Sequence, residues 1–257
     1  MKIFTIIIGA LLLNITLLFA QNAHFTTSGT IEFEKTVNMF ALIKKQVDLY
    51  KDDSFLEQAY ESYKKNQPQF KKLKSTLSFV NNKTIFVPAE ADGNNTFFGN
   101  NAMVNQNNII FTDLNTRTSI DQKSVFEETF LVKDSTRNIR WKITDETREI
   151  AGFVCRRANA LVLDSVYVVA FYTERIPVSG GPESFTGLPG MILGLALPHE
   201  NITWFATKVV EGGVDDKAML PPKKGKLVNN MGLRKTLDNV MKDWGNWAQS
   251  YLKAFSL

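Results

Sequence analysis

Few residues in this 257-residue sequence combine the type and the spacing that enzyme chemistry requires. Of the two histidines, His24 lies near the N-terminus, and His199 lies in a turn between two predicted strands. Ser179 has no base at a recognisable spacing, and no GxSxG, HExxH, paired CxxC or phosphate-binding glycine loop occurs. We therefore assign no catalytic residue, no metal ligand and no cofactor. A pair of carboxylates brought together by folding, as in a hydrolase, stays open as an alternative.

The single cysteine, Cys155, cannot form a disulfide within the chain. It lies among apolar residues in a predicted strand, which favours a small buried side chain. A reactive thiol, an intermolecular disulfide and a metal ligand remain open. A metal-handling protein that uses Cys155, His199 and methionines is thus a second alternative.

Glycine and proline are densest in the segment RIPVSGGPESFTGLPGMILGLAL, from Arg175 to Leu197, which we call the motif. Its spacing predicts one turn at Gly180–Pro182 and a type II turn at 188–190, with glycines in the left-handed region. The motif is interpreted either as a plug over one end of a sheet or as a binding surface on a rigid scaffold. The candidate binding residues are Pro177, Ser179, Gly180, Gly181, Pro182, Gly187, Leu188, Pro189 and Gly190.

The elements that must hold this motif begin with a strand and a helical insertion. Alternation in TIEFEKT predicts a strand, and the period then changes to three or four residues, which predicts helices over about 36–66. Asp52–Ser54 provides a break and an N-cap, and Gln67 before Pro68 ends the second helix. A further helix is predicted over about 230–255.

From Leu73 onward the sequence predicts an antiparallel sheet of short strands joined by turns. The predicted strands are STLSFV, KTIFVP, NIIFTDL, SVFEETFLV, IRWKIT, EIAGFVCRRANALVL, VYVVAFYT, MILGLAL and NITWFATKVV. No helix is predicted between the first seven, so a parallel crossover sheet is not expected. Residues 89–108 are predicted to be a long mobile loop, and 211–227 a second loop.

Residues 1–20 read as a secretory signal peptide, with Lys2 before an apolar run and Ala20 before the cut. A membrane anchor is the alternative, although the polar residues that follow favour cleavage. The remaining chain has 29 basic residues against 26 acidic ones, a mild excess that argues against nucleic-acid binding. No later segment is apolar and long enough to span a bilayer.

Several segments resemble, in the right order, the GLPGLI family of exported bacterial proteins. They are Trp141–Ile143, Ile150–Ala158, Ile176–Pro182, Phe185–Leu193 and Pro222–Lys226. Met191, Arg157 and Phe171 are conservative departures from the family pattern. The resemblance implies a protein of the envelope or secreted, periplasmic or associated with the outer membrane of a Gram-negative-type bacterium, with an envelope or outer-membrane transport partner. It transfers no catalytic residue.

Together these observations predict an α+β fold: a curved antiparallel sheet or half-barrel with an inserted N-terminal helical segment and a C-terminal helix. Residues 21–257 are expected to form one GLPGLI-type domain. The leading functional hypothesis is a non-enzymatic exported protein that binds a protein partner or an apolar ligand.

Overall fold

The structure, a computed structural model, describes residues 25–50, 53–89, 97–99, 101–105 and 107–257. The predicted signal peptide at residues 1–20 and His24 lie outside these ranges, as does part of the predicted loop at 89–108. In the described part, no helix has both the length and the apolarity needed to cross a bilayer.

Within these ranges, twelve strands form one large open sheet. In chain order they are β1 (Gly29–Asn38), β2 (Phe70–Val80), β3 (Lys83–Pro88), β4 (Ile109–Asp113), β5 (Thr118–Val125), β6 (Glu128–Ser135), β7 (Lys142–Ile150), β8 (Phe153–Val162), β9 (Val166–Thr173), β10 (Met191–Leu197), β11 (Ile202–Glu211) and β12 (Lys226–Val228). The helices of the same ranges are α1 (Met39–Asp48), α2 (Ser54–Asn66), α3 (Ala102–Asn105), α4 (Asn230–Val240) and α5 (Asn246–Ser256). This architecture confirms the predicted α+β fold.

The sheet consists of two antiparallel meanders that meet at one pair of strands. Its order is β12-β6-β5-β4-β3-β2-β1-β11-β10-β9-β8-β7, so β1 and β11 join the two halves. Only the short β12 runs parallel to its neighbour, β6, among the described strands. A bulge between Glu32 and Phe33 interrupts the register of β1 with β11, and a bulge of this kind increases local twist.

Side-chain caps set the N-termini of the first two helices. The Asn38 side chain accepts a hydrogen bond from Ala41 N (3.2 Å), which turns the end of β1 directly into α1. Asp53 Oδ1 accepts bonds from Phe55 N and Leu56 N at the start of α2. These acceptors satisfy backbone N–H groups that have no partner inside the helix.

The C-terminal helix predicted over 230–255 is wrong as a single element, because the range contains two helices. Gly245 is the N-cap of the second helix and has φ +54° and ψ −133°, a backbone conformation outside the helical region that favours glycine. The side chain of Asn229 caps the first of the pair by accepting from Gly232 N (2.8 Å).

Other details also differ from the sequence prediction. EIAGFVCRRANALVL is not one strand, because Ala151 and Gly152, both with positive φ, form the turn between β7 and β8. The described part of the predicted loop 89–108 contains α3. SVFEETFLV is not one strand: Phe126, at φ +55°, forms the turn of a hairpin that joins β5 to β6. The predicted loop 211–227 contains a 3₁₀ turn at Asp216–Ala218 and the start of β12.

The hydrophobic interior has two parts. The main core packs the inner face of both meanders against α1, α2 and the motif. A second core lies between the β5–β6 hairpin and helices α4 and α5, and consists of Val125, Phe130, Val132, Leu233, Leu237, Met241, Ala248, Leu252 and Phe255.

Candidate functional site

The candidate binding residues of the motif differ widely in exposure. Pro177, Gly187 and Pro189 are exposed, and Ser179 is half-buried. The other five, Gly180, Gly181, Pro182, Leu188 and Gly190, are buried. The structure brings Ser179 and Gly187 together, since Gly187 N donates to Ser179 Oγ (3.0 Å). A binding role for this surface stays a prediction.

In the motif, glycine is needed more for the space left by its missing Cβ than for unusual backbone angles. Gly190 does not have positive φ, so the type II turn predicted at 188–190 is wrong. A Cβ at Gly190 would lie 2.1 Å from the carbonyl oxygen of Thr173, on the adjacent strand β9. The left-handed positions of the motif are instead Glu183, at φ +53°, and Gly187, at φ +97°.

Glu183 of the motif belongs to a group of buried charges that sequence patterns did not reveal. Lys35 of β1 and Lys123 of β5 are 6% and 3% exposed, and both interact electrostatically with Glu183. Burial raises the pKa of Glu183, an effect that the two lysines oppose. Burial also lowers the pKa of Lys35 to about 8. Since burying a charge is costly unless it is compensated, these groups depend on one another.

The same group of charges holds the end of α5. Lys123 Nζ donates to the main-chain oxygen of Phe255 (3.3 Å), and Arg137 Nη2 donates to that of Ser256 (2.6 Å). Ser184 Oγ of the motif donates to the main-chain oxygen of Leu257 (2.8 Å). The adjoining polar cavity has a volume of about 30 Å³, room for about one water molecule and too little for an organic ligand.

A much larger cleft, of about 520 Å³, opens between α1, α3, α4 and α5. Its walls are formed by Leu42, Lys45, Gln46, Leu49, Asn101, Ala102, Met103, Leu163, Ser165, Glu200, Arg234, Trp247, Gln249, Ser250, Tyr251, Leu252, Lys253 and Ser256. None of the candidate residues of the motif belongs to this set. The volume lies within the usual range of small-molecule sites, roughly 300–1,000 Å³.

Glu200 joins two walls of the cleft. It ends the 3₁₀ turn Pro198–Glu200, and its carboxylate is bound by Lys253 Nζ of α5 (2.7 Å) and Lys45 Nζ of α1 (3.4 Å). Burial alone would raise the pKa of Glu200, but the hydrogen bonds and charges of Lys253 and Lys45 outweigh burial and lower it. Glu200 is therefore ionised at neutral pH and fixes α1 relative to α5.

Two lysines of the sheet hold the α3 wall. Lys35 Nζ donates to the carbonyl oxygens of Met103 (3.0 Å) and Val104 (2.9 Å), and Lys71 Nζ donates to Asn105 Oδ1 (2.8 Å). Lys71 is on β2, opposite Val37 of β1. The bonds that position Met103 at the cleft thus originate on the sheet beneath it.

The remaining lining is partly apolar and partly exposed. The ring of Trp247 stacks on Tyr50, with centroids 4.9 Å apart. Leu49 and Leu163, on different walls, are 55% and 42% exposed. Apolar side chains that converge on a cleft without being covered by the chain mark a surface suited to an apolar group.

Cys155 and His199 occupy different environments. Cys155 is fully buried in the main core, and burial raises the pKa of its thiol to about 12. His199 lies in the exposed part of the turn before β11, where its ring contacts Tyr167. Among the described residues, no group of three or more histidine, cysteine or acidic side chains could hold a metal ion.

Carboxylates do cluster in a shallow groove of about 260 Å³ between α1 and α2. Asp48 pairs with Lys44, and Glu61 pairs with Lys64. Asp53 is occupied by the cap of α2. Asp48, Asp53 and Glu61 therefore each have a structural partner.

Comparisons with known proteins identify a short family match and a shared fold. Residues 161–194, from the end of β8 to Gly194 in β10, match a family described as "Protein of unknown function (Porph_ging)". This segment includes the motif up to Gly194. A comparison with curated proteins gives no significant match.

Solved structures of PNGF-II in two crystal forms are similar to most of this chain. The P2₁ form gives a TM-score of 0.51 at 15% identity and covers 82% of this chain, and the C2 form gives 0.52 at 13% and covers 81%. This chain spans about a third of PNGF-II, 33% and 32% in the two forms. At this identity the similarity shows the fold alone.

An uncharacterized conserved protein from Thermus thermophilus gives a TM-score of 0.39 at 5% identity, over 83% of this chain and 97% of the other. That similarity is too low to support any statement about this chain.

Proposed function

We propose that this chain is an exported, non-enzymatic binding protein of the GLPGLI type and that its ligand occupies the cleft between α1 and α5. The observation that carries the proposal is the cleft itself: about 520 Å³, lined by apolar and polar side chains from several separate segments. Concave sites that combine an apolar surface with a few placed polar groups are typical of ligand binding.

Ion pairs and hydrogen bonds also hold the walls of the cleft in place. Glu200 fixes its α1 and α5 walls through Lys45 and Lys253, and Lys35 fixes its α3 wall. A site whose walls are held before the ligand arrives avoids the entropic cost of ordering them on binding. Glu200 is the single carboxylate of the lining, and its pairing with Lys45 and Lys253 favours binding over acid–base chemistry.

The test is the binding of N-phenyl-1-naphthylamine, a neutral apolar dye, to the mature chain. We expect its fluorescence to rise on binding and the rise to be lost in Ser250→Trp, because Ser250 is an exposed α5 residue that lines the cleft. Gln58→Trp is the matched control, since Gln58 is exposed on α2 and is not part of the cleft. Equal dye binding in both variants would place the site elsewhere.

Export is supported by the composition of residues 1–20, and the exposed Pro177, Gly187 and Pro189 are retained as a candidate contact for an envelope partner. N-terminal sequencing of the secreted or periplasmic protein should begin at Gln21. A first residue of Met1 on a membrane-bound product would favour the anchor instead.

A further inference from the structure

We propose that the ligand of the cleft is a single-chain amphiphile with one anionic group, such as a carboxylate, at its polar end. This inference rests on the proposed binding function and adds the chemical class of the ligand. It depends on the balance of charges around the cleft and on the position of the uncovered apolar side chains.

Positive charge is in excess among the side chains that line the cleft. Three are cations, Lys45, Arg234 and Lys253, and one is an acid, Glu200. Asp238, which lies outside the lining, binds Arg234 Nε (2.9 Å). Even with Asp238 counted, one positive charge is uncompensated, so an anion is the charge partner that the cleft favours.

Lys253 has the geometry of the residue that receives the anion. In its described contacts, Lys253 Nζ donates one hydrogen bond, to Glu200 Oε1 (2.7 Å), and an ammonium has three donors. Its side chain is 28% exposed, so the remaining donors are accessible from the cleft. Glu200 holds the ammonium in place, which reduces the entropy lost when the anion binds.

The apolar side of the cleft accounts for the tail. Leu49, Leu163 and Trp247 line it from three different segments, and the two leucines are more than one-third exposed. An acyl chain would cover these side chains while its headgroup reaches Lys253. A small inorganic anion would leave the leucines in water, so the observations favour an amphiphile over a free phosphate.

The experiment compares three probes with the same alkyl chain by isothermal titration calorimetry: decanoate, decan-1-ol and decyltrimethylammonium. We expect decanoate to bind about tenfold more tightly than decan-1-ol or better, as a charge-assisted hydrogen bond would provide. Decyltrimethylammonium should bind most weakly. Lys253→Met should abolish the preference for decanoate, measured as the ratio of its affinity to that of decan-1-ol in the same variant.

Two variants make the result specific. Lys242→Met removes a positive charge that is exposed near α4 but does not line the cleft, and it should preserve the preference. Arg234→Met reduces the positive charge without touching the Glu200 ion pairs, and it should weaken decanoate binding even if Lys253→Met fails to fold.

The outcomes separate the two proposals. Equal affinities for decanoate and decan-1-ol, or a preference for the cationic probe, would overturn the anionic ligand and leave the binding cleft standing. Failure of all three probes and of the neutral dye to bind would overturn the proposed function itself.

Discussion

At Gly190 the motif passes so close to β9 that a side chain has no room. The contact of a Cβ there would be with backbone, the Thr173 carbonyl at 2.1 Å, which cannot rotate away. We therefore expect Gly190→Ala to lower the free energy of unfolding by about 3 kcal/mol. Urea unfolding followed by circular dichroism measures this change.

The matched control for Gly190 is Gly213→Ala. Gly213 has φ +75° and nothing within 4 Å of its would-be Cβ, so only backbone strain opposes the substitution, at about 1 kcal/mol. If the two variants lose equal stability, space at Gly190 is not the constraint. At Gly187 backbone strain is the main constraint, since φ is +97° and its would-be Cβ would make only an ordinary contact, 3.5 Å from Trp141 Nε1. Gly187→Val is accordingly also expected to reduce stability before it affects any binding.

Lys35 gives stability a specific dependence on pH. Its pKa falls from the ordinary 10.5 to about 8 in the folded protein, mainly through burial, while Glu183 opposes this change and Lys71 adds to it. Between pH 8 and pH 10.5 the unfolded chain therefore binds more protons at this residue, so stability due to Lys35 rises with pH.

We expect the stability of the wild type relative to Lys35→Met to increase by about 1 kcal/mol between about pH 7 and pH 9. Groups that do not interact with Lys35, including the Cys155 thiol, titrate alike in both proteins and cancel from the difference. Lys208→Met, which removes an exposed lysine of β11, should run parallel to the wild type. Parallel curves for Lys35→Met as well would show that Lys35 keeps its ordinary pKa.

At the scale of elements, short apolar runs bounded by turn residues predicted strands that the structure contains. KTIFVP, VYVVAFYT and MILGLAL coincide with β3, β9 and β10. The strand β5 could not be found in this way, because its inner face carries Asp121 and Lys123, which compensate each other and also interact with Arg137. A pattern of polarity cannot distinguish such a strand from a loop.

The cleft was unpredictable for a related reason. Its lining comes from segments that are separate in the sequence: α1, α3, α4, α5, the β8–β9 turn and the 3₁₀ turn at Pro198–Glu200. The motif, in contrast, is local in sequence, and its position as a packed connection between β9 and β10 followed from its flanking strands. The sequence therefore predicts the motif as a packed connection between strands. It does not predict the cleft, because tertiary packing brings the lining residues together.

The turn before β11 depends on Glu200 to connect it with α1 and α5. Because the Glu200 side chain is 9% exposed but Lys253 and Lys45 are 28% and 50% exposed, solvent screens part of the attraction. We expect Glu200→Gln to cost about 1–3 kcal/mol of stability at neutral pH. Glu61→Gln, in an exposed pair on α2, should cost less than about 0.5 kcal/mol.

The pH dependence of the Glu200 effect has the opposite sign to that of Lys35. Since the pKa of Glu200 is lowered in the folded protein, its stabilisation is complete above the ordinary pKa of 4.5 and is lost as the pH falls through the lowered value. Thermal unfolding of the wild type and Glu200→Gln should therefore converge in acid. If the difference in stability between the two proteins stays constant from neutral pH into acid, an ionised Glu200 does not hold Lys253 and Lys45.

At the scale of the whole molecule, the question is whether the second core unfolds with the main core. The two cores share one continuous sheet. Polar contacts also connect them, because α5 contributes Leu252 and Phe255 to the second core while Lys253 binds Glu200 beside the main core. Opening the second core would release α5 and leave Lys123 without the oxygen of Phe255. The cost of exposing such groups favours one cooperative transition.

Fluorine NMR of the protein labelled with 5-fluorotryptophan can test this cooperativity without altering the cores. Trp141 donates to the motif at Thr186 O (2.9 Å), and Trp244 packs on Phe126 at the second core, with ring centroids 5.3 Å apart. We expect both resonances to reach the unfolded position at the same urea concentration, because neither core is complete without α5. Trp→Phe substitutions assign the signals. If the Trp244 signal changes at lower urea than the Trp141 signal, the second core and the cleft wall on α5 form a separate, less stable unit, and the cleft opens before the sheet unfolds.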